Sequence, residues 1–95
     1  MDEILESIIK FRNKRGWHIS DNPESLAKSI IIEAAELLEN FQWGESSKNE
    51  ENIKEELADV LIYALAFALD QGYDVKTIIE EKLKKNAIKY PEKKT

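Results

Sequence analysis

The sequence predicts an all-α fold, a bundle of four helices with short connections, which we expect oligomerisation to complete. Only 3 glycines and 2 prolines interrupt the 95 residues. Between them, four segments repeat apolar residues close to the 3.6-residue period of a helix. The sequence shows no strand pattern, internal repeat or second set of elements. We therefore expect residues 1–95 to form a single domain whose helices are mostly antiparallel neighbours.

The first predicted helix covers residues 2–15 and carries one apolar stripe. Gly16 ends it, as glycine commonly does after a helix. Its last turn is positively charged, which suits the negative end of the helix dipole. The charged residues of that turn are Arg12, Lys14 and Arg15.

The second predicted helix runs from about residue 23 to residue 43 and is followed by Gly44. Residues 17–22 before it are expected to form a loop. Asn22 or Asp21 is the predicted N-cap, because both side chains accept hydrogen bonds from free N–H groups of a first helical turn. The apolar residues predicted to lie inside are Leu26, Ala27, Ile30, Ala34, Leu37, Leu38 and Phe41.

The third and fourth predicted helices occupy most of the remaining chain. Ser47 and Glu50 have the spacing of a capping box, which predicts a third helix from about residue 48 to residue 71. Asp74 is the predicted cap of a fourth helix, which ends before Pro91. The third helix is apolar on nearly every side from residue 60 to residue 69. Such a helix must be buried on more than one side, so we expect at least a two-fold dimer.

Composition limits the classes of function. Charged residues make up 35% of the chain and hydrophobic residues 42%, as in soluble globular domains. The net charge of −5 argues against a nucleic-acid partner, although divalent cations still allow an acidic protein to bind a polyphosphate. The lack of cysteine excludes thiol chemistry and is compatible with the cytoplasmic location that we expect. No signal peptide is visible, and no apolar run approaches the roughly 20 residues that span a membrane, so we expect no membrane contact.

Two pairs of carboxylates stand in apolar surroundings on the second and third helices. The pairs are Glu33 with Glu36, and Glu56 with Asp59. A spacing of three residues places each pair on one helix face, and burying carboxylates is costly unless a partner offsets the cost. Magnesium takes hard oxygen ligands, so the two helices predict a four-carboxylate metal site. Ordinary solvated helix charge is the alternative, and Glu39 and Glu55 are expected to lie off the paired face and point to water.

Other sites have less support in the sequence. A di-iron carboxylate bundle needs Glu-x-x-His motifs on two helices, whereas the single histidine, His18, lies in a predicted loop. No phosphate-binding glycine loop, nucleophile elbow or zinc-protease motif occurs. The aromatic residues Trp17, Phe41 and Trp43 form part of the core or stack against a nucleobase. Further polar candidates for ligand contact, each with a structural alternative, are Asn40, Tyr63, Lys82, Asn86, Lys89 and Tyr90.

Five motifs in order make the chain resemble the MazG-like nucleotide pyrophosphohydrolases, from about Phe11 to Pro91. They are RGW at 15–17, NPxxLAxS from 22, EAAELLExFQW at 33–43, EELADVLIY at 55–63 and KxxxNxxxYP at 82–91. The resemblance implies a MazG-like four-helix domain that binds Mg²⁺, with Mn²⁺ as a substitute. It also implies hydrolysis of NTPs or dNTPs to a nucleoside monophosphate and pyrophosphate, and a homodimer or homotetramer with sites at subunit contacts.

The resemblance assigns residues as follows. The implied metal ligands are Glu33, Glu36, Glu56 and Asp59, of which Glu36 and Glu56 are the candidate catalytic residues. The implied nucleotide contacts are Trp17, Trp43, Tyr63, Lys82, Asn86 and Tyr90. The chain departs from its relatives at Asp21 and Ser25, where many of them have His and Asn. The rival hypothesis is a non-catalytic oligomeric helical interaction module, which has no need of four carboxylates on apolar helix faces.

Overall fold

The all-α prediction is confirmed by the computed structural model, which describes residues 2–44 and 49–93 and contains no strand within them. Four long helices lie close to the predicted ranges, and a short additional helix follows the first. The elements are α1 Asp2–Lys14, α2 Trp17–Ser20, α3 Pro23–Glu39, α4 Glu50–Gln71 and α5 Val75–Lys89. In the described ranges, no helix combines the length and apolar character that crossing a membrane requires.

The prediction of a loop at 17–22 is wrong for its first four residues, which form α2. Gly16 makes this possible because its φ of 71° is a left-handed conformation that glycine adopts at little cost. The chain turns there, and the Gly16 carbonyl accepts hydrogen bonds from the N–H groups of Ile19 at 3.2 Å and Ser20 at 3.3 Å. The turn therefore folds into one helical turn before α3 begins.

Helix α3 begins at the predicted cap and ends earlier than predicted. The Asn22 side chain accepts a hydrogen bond from the Ser25 N–H at 2.8 Å, and the Ser25 hydroxyl accepts one from the Asn22 N–H at 2.9 Å. This reciprocal pair is a capping box. The regular helix ends at Glu39, and the next residues continue in tighter turns, with the Asn40 N–H donating to the Leu37 carbonyl at 3.2 Å.

Caps also set the limits of α4 and α5. Ser47 lies outside the described residues, and the N-cap of α4 is Asn49, whose side chain accepts from the Asn52 N–H at 2.9 Å. Gly72 ends α4 with a φ of 74°. Asp74 caps α5 as predicted, by accepting from the Thr77 N–H at 2.9 Å. A hydrogen bond from the Thr77 hydroxyl, followed by the one from the Thr77 N–H, lowers the pKa of Asp74.

The packed part of the molecule is the contact between α3 and α4; α1 packs against α4, and α2 packs against α1. The helices run antiparallel, since the start of α3 meets the end of α4. Few side chains become buried in this small core, and they are Ile8, Leu26, Ala66, Ala68 and Val75. Leu38 was predicted to lie inside but is 67% exposed, because none of the described helices covers that face of α3. The predicted interior residues Ala27, Ala34 and Phe41 are exposed as well.

Helix α5 does not pack along any other described helix. Its residues Ile78, Ile79, Leu83 and Ile88 are exposed. Apolar residues on α3 and α4 are exposed as well, among them Ile31 and Leu61. One chain thus leaves the four-helix bundle incomplete, as the sequence predicts, and association of chains stays a prediction.

Candidate active site

The predicted carboxylates gather on the facing sides of α3 and α4. One oxygen each from Glu33, Glu56 and Asp59 lies within 4.8 Å of the other two. Glu36 lies one turn beyond Glu33, and its charge acts on both Glu33 and Glu56. All four side chains are half-buried. Antiparallel packing explains the cluster, because it brings the middle of α3 against the first half of α4.

Two carboxylate oxygens in this cluster have no hydrogen-bond partner among the described residues. Glu33 Oε2 and Glu56 Oε2 are shielded from solvent and receive no hydrogen bond. Buried polar atoms are normally paired, since an unpaired one keeps its full desolvation cost. A cation would satisfy both oxygens, since carboxylate oxygens are hard ligands for metal ions. This observation argues against the alternative that these acids are ordinary solvated helix charge.

The cluster is electrostatically strained. Burial, then the neighbouring carboxylates of Glu36 and Asp59, raises the pKa of Glu33 to about 7. The carboxylate of Glu36, followed by burial, also raises the pKa of Glu56. Both shifts have the sign expected for like charges crowded in partly desolvated surroundings. A divalent cation between them would favour the charged carboxylates and remove the cause of both shifts.

The donor set fits magnesium. All its members are carboxylates, the hard oxygen ligands that Mg²⁺ prefers. In an octahedral shell with Mg–O distances of about 2.1 Å, opposite ligands are about 4.2 Å apart. Adjacent ligands of such a shell are about 3.0 Å apart, and the oxygens of Glu33, Glu56 and Asp59 lie within 4.8 Å of one another, which is near enough for one ion to draw them together. Three acids leave coordination positions for Glu36, water or substrate oxygens.

A cavity of about 470 Å³ opens beside the cluster, at the end of α3 and the start of α4. Its lining is formed by Glu36, Glu39, Asn40, Asn52 and Glu56. Glu39 is exposed, as expected, although it adds to the lining of this cavity. Each step of three residues turns the helix by about 60°, so Glu39 lies about 120° round α3 from Glu33 and outside the half-buried cluster.

The aromatic nucleotide candidates lie at different places around the cluster. Tyr63 is close enough to the cluster to be affected by its charges. Burial, followed by the charges of Glu33 and Asp59, raises the pKa of Tyr63. Trp17 lies on α2, with its ring 5.7 Å from the Phe11 ring in an edge-to-face contact. Trp43 follows α3 and is 91% exposed. It has the open ring face that stacking on a base requires.

The remaining nucleotide candidates lie on α5. They are Lys82, Asn86 and Tyr90. Among the described residues, α5 makes no extended contact with α3 or α4. The predicted contact of these side chains with a nucleotide stays a prediction, and we expect a second copy of the chain to provide it.

The two positions that depart from the family pattern have structural partners. Ser25 belongs to the capping box of α3. Asp21 accepts a hydrogen bond from Arg12 at 3.2 Å. Arg12 was predicted only as one of three charges that suit the dipole of the first helix, and its burial was missed. The missed signal was its spacing, because Arg12 lies four residues after Ile8 on the apolar stripe of α1.

Comparisons with known proteins agree with this architecture. The MazG-like family model matches residues 28–95. Human dCTP pyrophosphatase 1 is 30% identical over 100 aligned positions, which cover 96% of this chain and 59% of that protein. The rat protein of the same name is 29% identical with the same coverage. The chain thus spans well under two thirds of the length of these curated relatives.

A solved structure is similar over nearly its whole length. The crystal structure of a pyrophosphatase from Archaeoglobus fulgidus superposes with a TM-score of 0.89 and 40% sequence identity. The match covers 97% of this chain and 93% of the archaeal chain. The helices that carry the four carboxylates are part of the shared fold.

Proposed function

Because this chain belongs to the MazG-like family, we propose that it is a metal-dependent nucleotide pyrophosphohydrolase. It cuts the α–β phosphoanhydride of an NTP or dNTP and releases a nucleoside monophosphate and pyrophosphate. The observation that carries this proposal is the pair of shielded, unpartnered oxygens of Glu33 and Glu56 inside a four-carboxylate cluster. The human relative is named dCTP pyrophosphatase and the archaeal protein a pyrophosphatase, and both names support hydrolysis of a phosphoanhydride.

The four carboxylates divide the chemical work. Glu33, Glu36, Glu56 and Asp59 hold Mg²⁺, for which Mn²⁺ can substitute. When bound, the ion offsets phosphate charge and lowers the pKa of a coordinated water. Glu36 lines the open cavity and there takes the proton from the attacking water. The water oxygen forms the new bond to phosphorus as the bridging P–O bond breaks, and Glu56 keeps the water and phosphate oriented for in-line attack.

The nucleotide is held by residues outside the cluster. Trp17 and Trp43 offer ring faces for the base, and the Tyr63 hydroxyl lies one turn from Asp59 on the cluster side of α4. Lys82, Asn86 and Tyr90 reach the phosphates from the α5 of a second copy. Exposed apolar side chains on α5 and on the α3–α4 pair support this association. Dimer and tetramer both satisfy the proposal, and the cytoplasmic location stays a prediction.

Product analysis with a panel of nucleotides tests the proposal. The protein is incubated with each NTP and dNTP in Mg²⁺, in Mn²⁺ and in EDTA, and the products are separated by anion-exchange chromatography. The substrate in the mammalian relatives' name, dCTP, heads the panel, followed by modified bases, because removal of non-standard nucleotides is the role we propose. We expect monophosphate and pyrophosphate in equal amounts, and none with EDTA.

Two results would contradict the proposal in different ways. A nucleoside diphosphate with orthophosphate would show that the β–γ bond is cut. A stable oligomer with no turnover on any nucleotide and no response to metal would favour the rival hypothesis of a non-catalytic interaction module.

A further inference from the structure

Arg12 is the one charged side chain that is buried in the described part of the chain, at 5% relative exposure. Its guanidinium binds two carboxylates. Nη1 and Nη2 donate to the two oxygens of Asp70 at 2.9 and 2.8 Å, and Nη2 also donates to Asp21 Oδ2 at 3.2 Å. A buried arginine needs such partners, because an uncompensated buried charge is strongly destabilising. These bonds lower the pKa of Asp70 and raise that of Arg12.

The two carboxylates belong to different parts of the fold. Asp70 lies at the end of α4, so its two-bond pair with Arg12 joins α1 to α4. Asp21 lies in the short link between α2 and α3. The N–H of Asp21 donates to the Trp17 carbonyl at 2.8 Å, so the residue is bonded on one side to α2 and on the other to Arg12.

The contacts around Arg12 also fix the position of Trp17. Phe11, next to Arg12 in α1, contacts the Trp17 ring, while Arg12 holds the end of α2 through Asp21. The link lies close enough to α4 for Asp21 to share the Arg12 guanidinium with Asp70, the last acid of that helix. Movement of the link would therefore displace Trp17 relative to the side of α4 that carries the cluster.

We infer that Arg12 and Asp21 are positioning residues for the nucleotide site. Their ion pair holds α2 so that Trp17 meets the base, whereas the pair of Arg12 with Asp70 secures the packing of α1 on α4. The inference rests on the proposed function, in which Trp17 contacts the nucleotide. It gives Asp21 a defined role at a position where many relatives carry histidine.

Two matched variants separate positioning from stability. Asp21→Asn and Asp70→Asn each remove one negative charge from the same guanidinium at nearly constant volume. Asp70 makes two short bonds and Asp21 one longer bond, so Asp70→Asn should cause the larger fall in melting temperature. Asp21→Asn should nevertheless raise KM about tenfold for every nucleotide, with kcat within about twofold of the parent, as expected for lost binding alone. Asp70→Asn should leave KM within about twofold at a temperature where both variants are folded.

A structural role alone would make KM and melting temperature change in parallel, with Asp70→Asn worse in both, and that pattern would overturn the inference. A KM increase confined to certain bases would also overturn it, since it would show that Asp21 contacts the base directly. Arg12→Lys serves as the conservative variant. Lysine keeps the positive charge but lacks the planar guanidinium that binds two carboxylates at once. The Arg12→Lys variant should therefore raise KM as Asp21→Asn does.

Fluorescence tests the positioning without turnover. The chain has 2 tryptophans, so a Trp43→Phe background reports on Trp17 alone. Asp21→Asn should shift Trp17 emission to longer wavelength and increase its quenching by acrylamide, whereas Asp70→Asn should change both less. Unchanged Trp17 emission in Asp21→Asn would overturn the inference. Absence of pyrophosphate from the parent protein would instead refute the proposed function, and the fluorescence result would still decide whether this ion pair holds α2.

Discussion

Divalent cations should raise the melting temperature of this protein substantially. The perturbation is addition of Mg²⁺ or Mn²⁺ to the metal-free protein. Without a cation, three acidic oxygens lie within 4.8 Å of one another, and two shielded oxygens have no hydrogen-bond partner. The raised pKa of about 7 for Glu33 reports the same repulsion and desolvation. An ion that binds only the folded cluster removes these costs and shifts the folding equilibrium.

The size of the shift follows from mass action. Ligand at a hundredfold excess over Kd stabilises the native state by about 2.7 kcal/mol. For a domain of about 100 residues, 1 kcal/mol changes the melting temperature by roughly 4–8 °C. The expected rise is therefore on the order of 10–20 °C at saturating metal. Differential scanning fluorimetry over a metal titration measures it and also yields the apparent Kd.

Variants locate the origin of the shift. Glu33→Gln combined with Asp59→Asn should abolish the metal response and leave metal-free stability unchanged or higher, because two repelling charges are gone. Glu55→Gln is the matched control, since Glu55 is an exposed acid beside Glu56, and it should retain the full shift. If the double variant still responds to metal as the parent does, the ion binds elsewhere and our reasoning about the cluster fails.

Three further predictions concern catalysis, pH and assembly. Glu36→Gln should lower kcat/KM by at least about 100-fold, or about 2.7 kcal/mol of transition-state stabilisation; steady-state pyrophosphate assays check this, and a loss below tenfold contradicts it. Since the folded-state pKa of Glu33 is raised from 4.5 to about 7, folding takes up a proton between these values, and metal-free stability should fall as pH rises through them. Urea unfolding at several pH values should show this slope in the parent and a weaker one in Glu33→Gln; equal slopes would exclude Glu33 as the cause. Light scattering at micromolar concentration should show at least a dimer, and a stable folded monomer would refute the association that α5 requires.

The sequence predicts the helices and the carboxylate cluster because both follow from local rules. Periodic apolar residues define the long helices, and the spacing of Glu33 with Glu36 and of Glu56 with Asp59 fixes each pair on one face. Antiparallel packing then needs only a short connection to bring the pairs together. Asp74 was predicted as a cap, and Asn22 as one of two candidates with Asp21, because a capping side chain bonds to N–H groups of the adjacent helical turn.

Features that depend on tertiary contacts were not predicted. Arg12 looks like an exposed charge in a basic helix end, and only the folded chain shows that two aspartates from distant segments meet it. Helix α2 depends on the left-handed conformation of Gly16. The sequence of residues 17–20 is equally compatible with a loop.

The most direct test of the central claim compares two adjacent glutamates of α4. Glu56 is half-buried in the cluster, whereas Glu55 is exposed. Pyrophosphate release from the best nucleotide is measured with Mg²⁺ for the parent, Glu56→Gln and Glu55→Gln. Our account predicts a loss of at least about 100-fold in kcat/KM for Glu56→Gln and a change within about twofold for Glu55→Gln. Equal losses in both variants, or full activity in Glu56→Gln, would contradict the assignment of the carboxylate cluster as the catalytic centre.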